Sequence, residues 1–262
     1  MIAHTIDKRD IFYRVNGSGT AMLLVHGGWP GHFEPLVEVL SPMYQCITFD
    51  RLGFSQSARL TQNTTIEEQV AAMEAVHDSI TTDPVWVFGW SSGGNFALGY
   101  ALFRPERVKG LVLVEPALYA IYSPEQPPEV KQMKEEVIPL IQQGQLDKGW
   151  DRFVEVLFGP QDGEWHKSEE ELEIIRAFGY DQPIVIDWCP SKEELGQITQ
   201  PVLILEGDQS PALLRDICPF LDNQLANSKL VRLEGQDHMM PNTAPNLVAE
   251  TLTHFISDQE LK

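Results

Sequence analysis

Val85-Trp86-Val87-Phe88-Gly89-Trp90-Ser91-Ser92-Gly93-Gly94-Asn95-Phe96-Ala97-Leu98 is the stretch on which the fold turns. Its first five residues are mostly β-branched or aromatic, which predicts a strand buried on both faces. From Asn95 to Phe103 the pattern predicts a helix. Between the two, Gly89-Trp90-Ser91-Ser92-Gly93 fits G-x-S-x-G. A chain that passes from strand to helix within about one residue forces Ser91 into a strained backbone conformation. Small residues two before and two after it let strand and helix approach. The Ser91 hydroxyl then projects beyond the strand end. The Ser92 N–H opens the helix beside it, with the helix dipole behind. One turn thus offers a nucleophile and half of an oxyanion hole. Glycine and serine are common, so the pattern gains meaning only from its strand, its helix and the partners that follow.

Outward from this turn, apolar runs alternate with helical ones. Strands are expected at Ile11 to Val15, Ala21 to Val25, Gln45 to Phe49, Val108 to Val114, Pro201 to Leu205 and Lys229 to Leu233. Asn16-Gly17, after the first of these, is a hairpin signal. A helix from Thr65 to Ile80 has Thr64 or Thr65 as its cap and Glu67 and Glu68 near its positive end. Further helices are expected from Leu213 to Ala226 and from Ala244 to Ser257. This rhythm predicts right-handed βαβ units around a parallel sheet. Ligands of such sheets sit beyond the carboxyl ends of the strands. His26, Asp50, Ser91 and Glu115 all follow such ends and should converge on one rim.

Between about Ala117 and Gly196 the strands stop. Helices are expected there at Glu129 to Gln143, Leu146 to Phe158 and Ser168 to Phe178, separated by Pro127-Pro128, Gly159-Pro160 and Gln182-Pro183. The plain reading is a solvated helical insertion. The functional one is a cap over the rim, partly lined by Trp150, Phe153, Leu157, Phe158 and Trp188. The expected division is a core of residues 1–116 and 197–262 and a cap of residues 117–196.

Composition narrows the chemistry. At 262 residues, 43% hydrophobic and 22% charged, the chain has an ordinary globular balance. The formal net charge of −19 repels nucleic acid and anionic membranes. Neither is expected as a partner. Three unpatterned cysteines suggest a reducing compartment and no zinc site. MIAHTIDKRD carries no basic-then-apolar leader, and no apolar run nears the roughly 20 residues of a membrane span. A cytoplasmic protein is expected. No metal or organic cofactor is implied, since H-E-x-x-H, the phosphate-binding G-x-x-x-x-G-K-[ST] and a dinucleotide fingerprint are all lacking.

Serine at its ordinary pKa is a poor nucleophile. It needs an imidazole to take its proton and a carboxylate to orient that imidazole. Of the seven histidines, His4, His26, His32, His77, His166, His238 and His254, only His26 and His238 sit in strand-end loops. Only His238 completes the order Ser, acid, His. His26 is read as a structural hydrogen-bonder.

His26-Gly27-Gly28, Asp50-Arg51-Leu52-Gly53, the turn at Ser91, the insertion after Val108–Val114 and Gly235-x-x-His238 together resemble the α/β-hydrolase superfamily over essentially the whole chain. The likeness is to its serine-nucleophile, cap-bearing esterase and haloperoxidase-like branch. The resemblance implies a mostly parallel eight-stranded sheet with helices on both faces and a helical cap. It also implies a Ser-His-acid triad, and an oxyanion hole from the N–H groups of Ser92 and of Gly28 or Trp29. Serine at 91 argues against the carboxylate-nucleophile epoxide hydrolases and dehalogenases. The chain departs from the family in its acid. The usual G-x-x-D after the strand before the last would place an acid at 210, where Ser210 stands. Glu115, at the end of the preceding strand, is favoured; Asp208 is the alternative, with Asp237 or no acid at all behind both. The expected reaction is acyl transfer from a small-molecule ester to water. A carbon–carbon bond hydrolase or lyase with the same triad, or a low-turnover small-molecule binding or sensor protein, is the alternative. A second copy of the chain is the one macromolecular partner left open.

Overall fold

A computed structural model describes residues 1–160 and 167–261, with the His32 side chain excepted. His166 lies outside the described residues. In chain order the strands are β1 (Ile2–His4), β2 (Asp10–Asn16), β3 (Thr20–Val25), β4 (Tyr44–Phe49), β5 (Val85–Trp90), β6 (Val108–Val114), β7 (Val202–Gly207) and β8 (Ser228–Leu233). They form one sheet in the order β1-β2-β4-β3-β5-β6-β7-β8. β4 through β8 and β3 run parallel, and only β1 and β2 are antiparallel to their neighbours. The order reverses at β3, so the ends of β3 and β5 lie side by side at the switch point where open sheets bind ligands.

Helices α1 (Glu34–Leu40), α2 (Ile66–Asp78) and α3 (Ser92–Phe103) follow β3, β4 and β5. Between β6 and β7 lie α4 (Pro128–Gln132), α5 (Ile138–Gln142), α6 (Leu146–Phe158), α7 (Glu169–Asp187) and α8 (Lys192–Gln197), with no strand among the described residues. After β7 come α9 (Ala212–Arg215) and α10 (Ile217–Gln224), and after β8, α11 (Met240–Thr243) and α12 (Pro245–Glu260). The period of two along a strand builds two cores. Leu23, Val25 and Val87 face Ile66, Val70 and Phe96 of α2 and α3. Met22, Leu24 and Phe88 face Leu36 and Leu40 of α1 and Leu252 and Phe255 of α12. All six residues of β5 are buried, as a strand covered on both faces must be. Thr65 caps α2, its hydroxyl accepting from the Glu68 N–H while the Glu68 carboxylate returns a bond to the Thr65 N–H.

Four sequence expectations need correction. Asn16-Gly17 makes a turn, with Gly17 at φ +78°, but not a hairpin. β2 pairs with β4 rather than β3, and the hairpin of this edge is β1 with β2, Ile2 opposite Phe12. The turn chemistry is local, whereas the partner strand is chosen by the sheet. The stretch from Glu129 to Gln143 is not one regular helix. A π-helical turn, Met133–Val137, separates α4 from α5. Pro139, in the first turn of α5, would press on the carbonyl four residues back in an unbroken α-helix. Pro183, expected to separate elements, lies inside α7. It withholds a hydrogen bond from the Gly179 carbonyl, at a cost of about 3 kcal/mol. Ile184, Val185 and Ile186 just beyond it are 7%, 1% and 1% exposed. At about 1.5–3 kcal/mol each, their burial outweighs the break. The segment from Leu213 to Ala226 is likewise two helices, α9 and α10, meeting at Asp216.

Candidate active site

The turn at Ser91 has the strain that its spacing requires. Ser91 adopts φ 56° and ψ −129°, a region costly for any side chain. Three backbone hydrogen bonds hold it there. The Ser91 N–H donates to the Val114 carbonyl at 3.0 Å, and the Ser91 carbonyl accepts from Gly94 at 2.9 Å and Ala117 at 3.2 Å. The flanking glycines are needed for approach. A Cβ on Gly89 would lie 2.7 Å from the Gly93 carbonyl oxygen, and one on Gly93 would lie 2.0 Å from that of Val25. Ser92 is the first residue of α3, and among the described residues no acceptor faces its N–H.

Glu115, just past β6, repeats the strain, at φ 42°. Its carboxylate is fully buried. One oxygen accepts from the Gly207 N–H at 2.7 Å and the other meets His238 Nδ1 at 2.8 Å. A ring nitrogen that donates to a carboxylate leaves Nε2 bare, the tautomer a proton acceptor needs. The His238 loop is itself held, because Trp90 Nε1 donates to the His238 carbonyl at 2.9 Å. Asp208 points away, accepting from the Gly235 N–H at 2.8 Å. Asp237 accepts from the Met239 N–H at 2.8 Å. Neither touches the imidazole. Ser210, standing where the usual acid would be, is buried with a hydroxyl that has no partner.

Ser91 and His238 line one cavity of about 120 Å³, together with Gly28, Trp29 and Ser92. The Ser91 hydroxyl and the His238 imidazole, whose Nδ1 meets Glu115, are not hydrogen-bonded to each other; catalytic contacts of this kind commonly tighten only as substrate is engaged. The opposite wall comes from α6 and α7: Trp150, Phe153, Leu157, Phe158 and Phe178. Trp188, named with these aromatics from sequence, instead packs on the main core.

His26 and Asp50 reach the same rim but not the cavity. His26 Nε2 accepts from the Arg51 N–H at 3.0 Å and Nδ1 donates to the Gly27 carbonyl at 2.8 Å. Asp50 accepts from the Gln56 N–H at 3.0 Å, and burial raises its carboxyl above the usual range. Sequence reasoning quoted Arg51 only as part of Asp50-Arg51-Leu52-Gly53, with no role of its own, and missed Asp181. Arg51 Nε donates to the His26 carbonyl and Nη2 to that of Gly27, both at 2.9 Å. Its guanidinium lies 4.5 Å from the centres of the Phe54 and Phe96 rings. Nη1 meets Asp181 of α7 in an ion pair in which both side chains are 1% exposed. Burial pushes the Asp181 carboxyl up to about 6, with Arg51 pulling it back. A charged residue inside the apolar run around Phe178 was the available signal.

Among the described residues no cluster of three or more His, Cys, Asp or Glu could hold a metal ion, and no helix is long and apolar enough to cross a membrane.

A putative carbamate hydrolase of Azorhizobium caulinodans is 34% identical over 107 residues, 40% of each chain. The chain thus matches about two fifths of that relative's length. An Acinetobacter baylyi hydrolase of (E)-2-((N-methylformamido)methylene)succinate is 25% identical over 98% of both chains. The solved structure of an α/β hydrolase from Sphaerobacter thermophilus superposes with a TM-score of 0.80, at 25% identity, over 98% of this chain and 100% of that one. The family model for the α/β-hydrolase fold matches residues 20–165, more than half of the sequence. The chain therefore belongs to the α/β-hydrolase family.

Proposed function

We propose that the chain is a serine hydrolase that cleaves a small-molecule ester or related acyl compound through an acyl-enzyme. The observation that carries this reading is the 2.8 Å contact of His238 Nδ1 with the buried Glu115 carboxylate, at the cavity that Ser91 also lines. In this reading His238 Nε2 takes the Ser91 proton as the hydroxyl attacks the carbonyl carbon. Glu115 stabilises the imidazolium that forms. The N–H of Ser92 and that of Gly28 or Trp29 hold the developing oxyanion, often the largest electrostatic contribution. His238 returns the proton to the leaving group, then activates a water that attacks the acyl-enzyme.

Residues 117–196 act as a cap over the core of residues 1–116 and 197–262. Their aromatic wall excludes water from the reacting carbonyl, which strengthens each of these interactions. The expected partner is a small molecule, and the three free cysteines fit a cytoplasmic setting. A carbon–carbon bond hydrolase or lyase would be favoured by charged groups of the cap aimed at Ser91. Among the described lining residues no Lys, Arg, Asp or Glu appears, so ester chemistry is preferred.

The test is hydrolysis of p-nitrophenyl esters from acetate to octanoate by the parent and by Ser91→Ala. Turnover in the parent that disappears in the variant supports the reading, and the best chain length reports the depth of the cavity. Equal rates in both would sink it.

A further inference from the structure

Gln182 is an anomaly in the aromatic wall. It lies on α7 one turn after Phe178, and Val185 follows three residues on. All three line the cavity, as residues 178, 182 and 185 of one helix face should. The Gln182 side chain is 2% exposed, and its Oε1 is buried with no hydrogen-bond partner. A buried amide left unpaired costs stability that a hydrocarbon of the same shape would not. Its position is also fixed. Asp181 beside it is tied to Arg51, and Pro183 on its other side removes backbone freedom. Tyr119, whose side chain carries a neutral hydroxyl, lines the same cavity. The wall therefore offers neutral hydrogen-bonding groups among apolar ones.

We infer that Gln182 is a specificity-determining residue that recognises an uncharged hydrogen-bond donor, a hydroxyl or a carboxamide N–H, on the substrate. The favoured substrates are compact, neutral acyl compounds carrying such a group, rather than carboxylates, ammonium compounds or plain alkyl esters. This inference rests on the Ser91 cavity being the substrate site. A polar site left with an unpaired group discriminates strongly against ligands that lack the matching one.

The test is made without chemistry, so that it stands apart from the role of Ser91. In the Ser91→Ala protein, calorimetry measures the affinities of benzamide and of acetophenone, which has CH3 in place of NH2. The same pair is measured with Gln182→Met added, and with Gln182→Leu as a second apolar variant. Comparing the two ratios cancels the different hydration of the ligands. The benzamide-to-acetophenone affinity ratio is expected to fall about tenfold in both variants. Melting temperatures should not drop, because no hydrogen bond of the fold is lost. A ratio unchanged within threefold overturns the inference, as does a lack of saturable benzamide binding in the Gln182 protein. A lowered melting temperature with an unchanged ratio would assign the amide to the fold and overturn it as well. Failure of the serine-hydrolase reading would show separately, as ester turnover that survives Ser91→Ala.

Discussion

Replacing Glu115 by Gln separates the acid of the site from its neighbours, and the hydrogen bonds around it set the size of the effect. The carboxylate accepts twice, from the Gly207 N–H at 2.7 Å and from His238 Nδ1 at 2.8 Å. A Gln side chain has one acceptor and one donor end. The Gly207 N–H can only donate, so the amide oxygen must face it and the NH2 must face His238. Nδ1 then has to accept, the ring proton moves to Nε2, and the imidazole can no longer take a proton from Ser91. The flipped amide would set two buried donors against each other, at about 1–3 kcal/mol. Shape and burial are otherwise kept, so folding should survive. A wrong tautomer costs about 10³–10⁴ in kcat, or about 4–5.5 kcal/mol of barrier. The assay is kcat on the best p-nitrophenyl ester, with near-ultraviolet circular dichroism to show that the fold is intact. Asp208→Asn, which alters the contacts with the Gly235 N–H and the Gln209 side-chain amide and none with the imidazole, should change kcat less than threefold. A Glu115→Gln protein within tenfold of the parent, or an Asp208→Asn protein more damaged than it, would refute the assignment.

Other outcomes follow from the same geometry. Ser91→Gly should be more stable than Ser91→Ala by about 1 kcal/mol, since glycine accepts φ 56° without strain; urea denaturation of the pair decides it, and equal stabilities would show that the turn is unstrained. Gly93→Ala, whose Cβ would meet the Val25 carbonyl at 2.0 Å, should lose about 1–3 kcal/mol or more of stability in the same measurement. Asp181→Ala leaves the Arg51 guanidinium buried without a counter-ion and should cost about 3–5 kcal/mol, visible as a lower urea midpoint. His77 is buried, with Nε2 donating to the Asp83 carbonyl at 2.8 Å and Nδ1 accepting from the Tyr100 hydroxyl at 2.7 Å, and burial lowers its pKa. The fold thus binds fewer protons at this site than the unfolded chain, and stability falls as pH drops below the ordinary histidine value of about 6.5. Stability measured from pH 7 to pH 5 should decline less steeply in His77→Gln.

What the sequence disclosed follows from the range of the forces involved. Runs such as Val85–Phe88 and Val108–Val114 announce buried strands because a strand covered on both faces leaves no polar position. The turn at Ser91 is legible because its glycines answer a contact within a few residues. Glu115 could be favoured because Ser210 takes the usual acid position and the end of the neighbouring strand in a parallel sheet shares the same edge. Arg51 and Asp181 are 130 residues apart in the chain, and nothing local to either signals the other. Gln182 reads as a loop residue beside Pro183 until the burial of Ile184, Val185 and Ile186 shows why the helix continues. The Asn16-Gly17 turn shows the same limit, since the bend is local but strand pairing is a property of the whole sheet.

The Arg51–Asp181 pair also bears on how far α7 can move. It fastens α7 to the carbonyls of His26 and Gly27, so α7 cannot lift without stranding two charges in an apolar interior. At about 3–5 kcal/mol, such an excursion occupies roughly one molecule in 10²–10⁴. Opening of the cavity therefore costs least at the parts of the wall that this pair does not fasten. The wall beside Gln182 is thereby pinned in register with the Gly27-Gly28 loop, a fixed jaw of the enclosure.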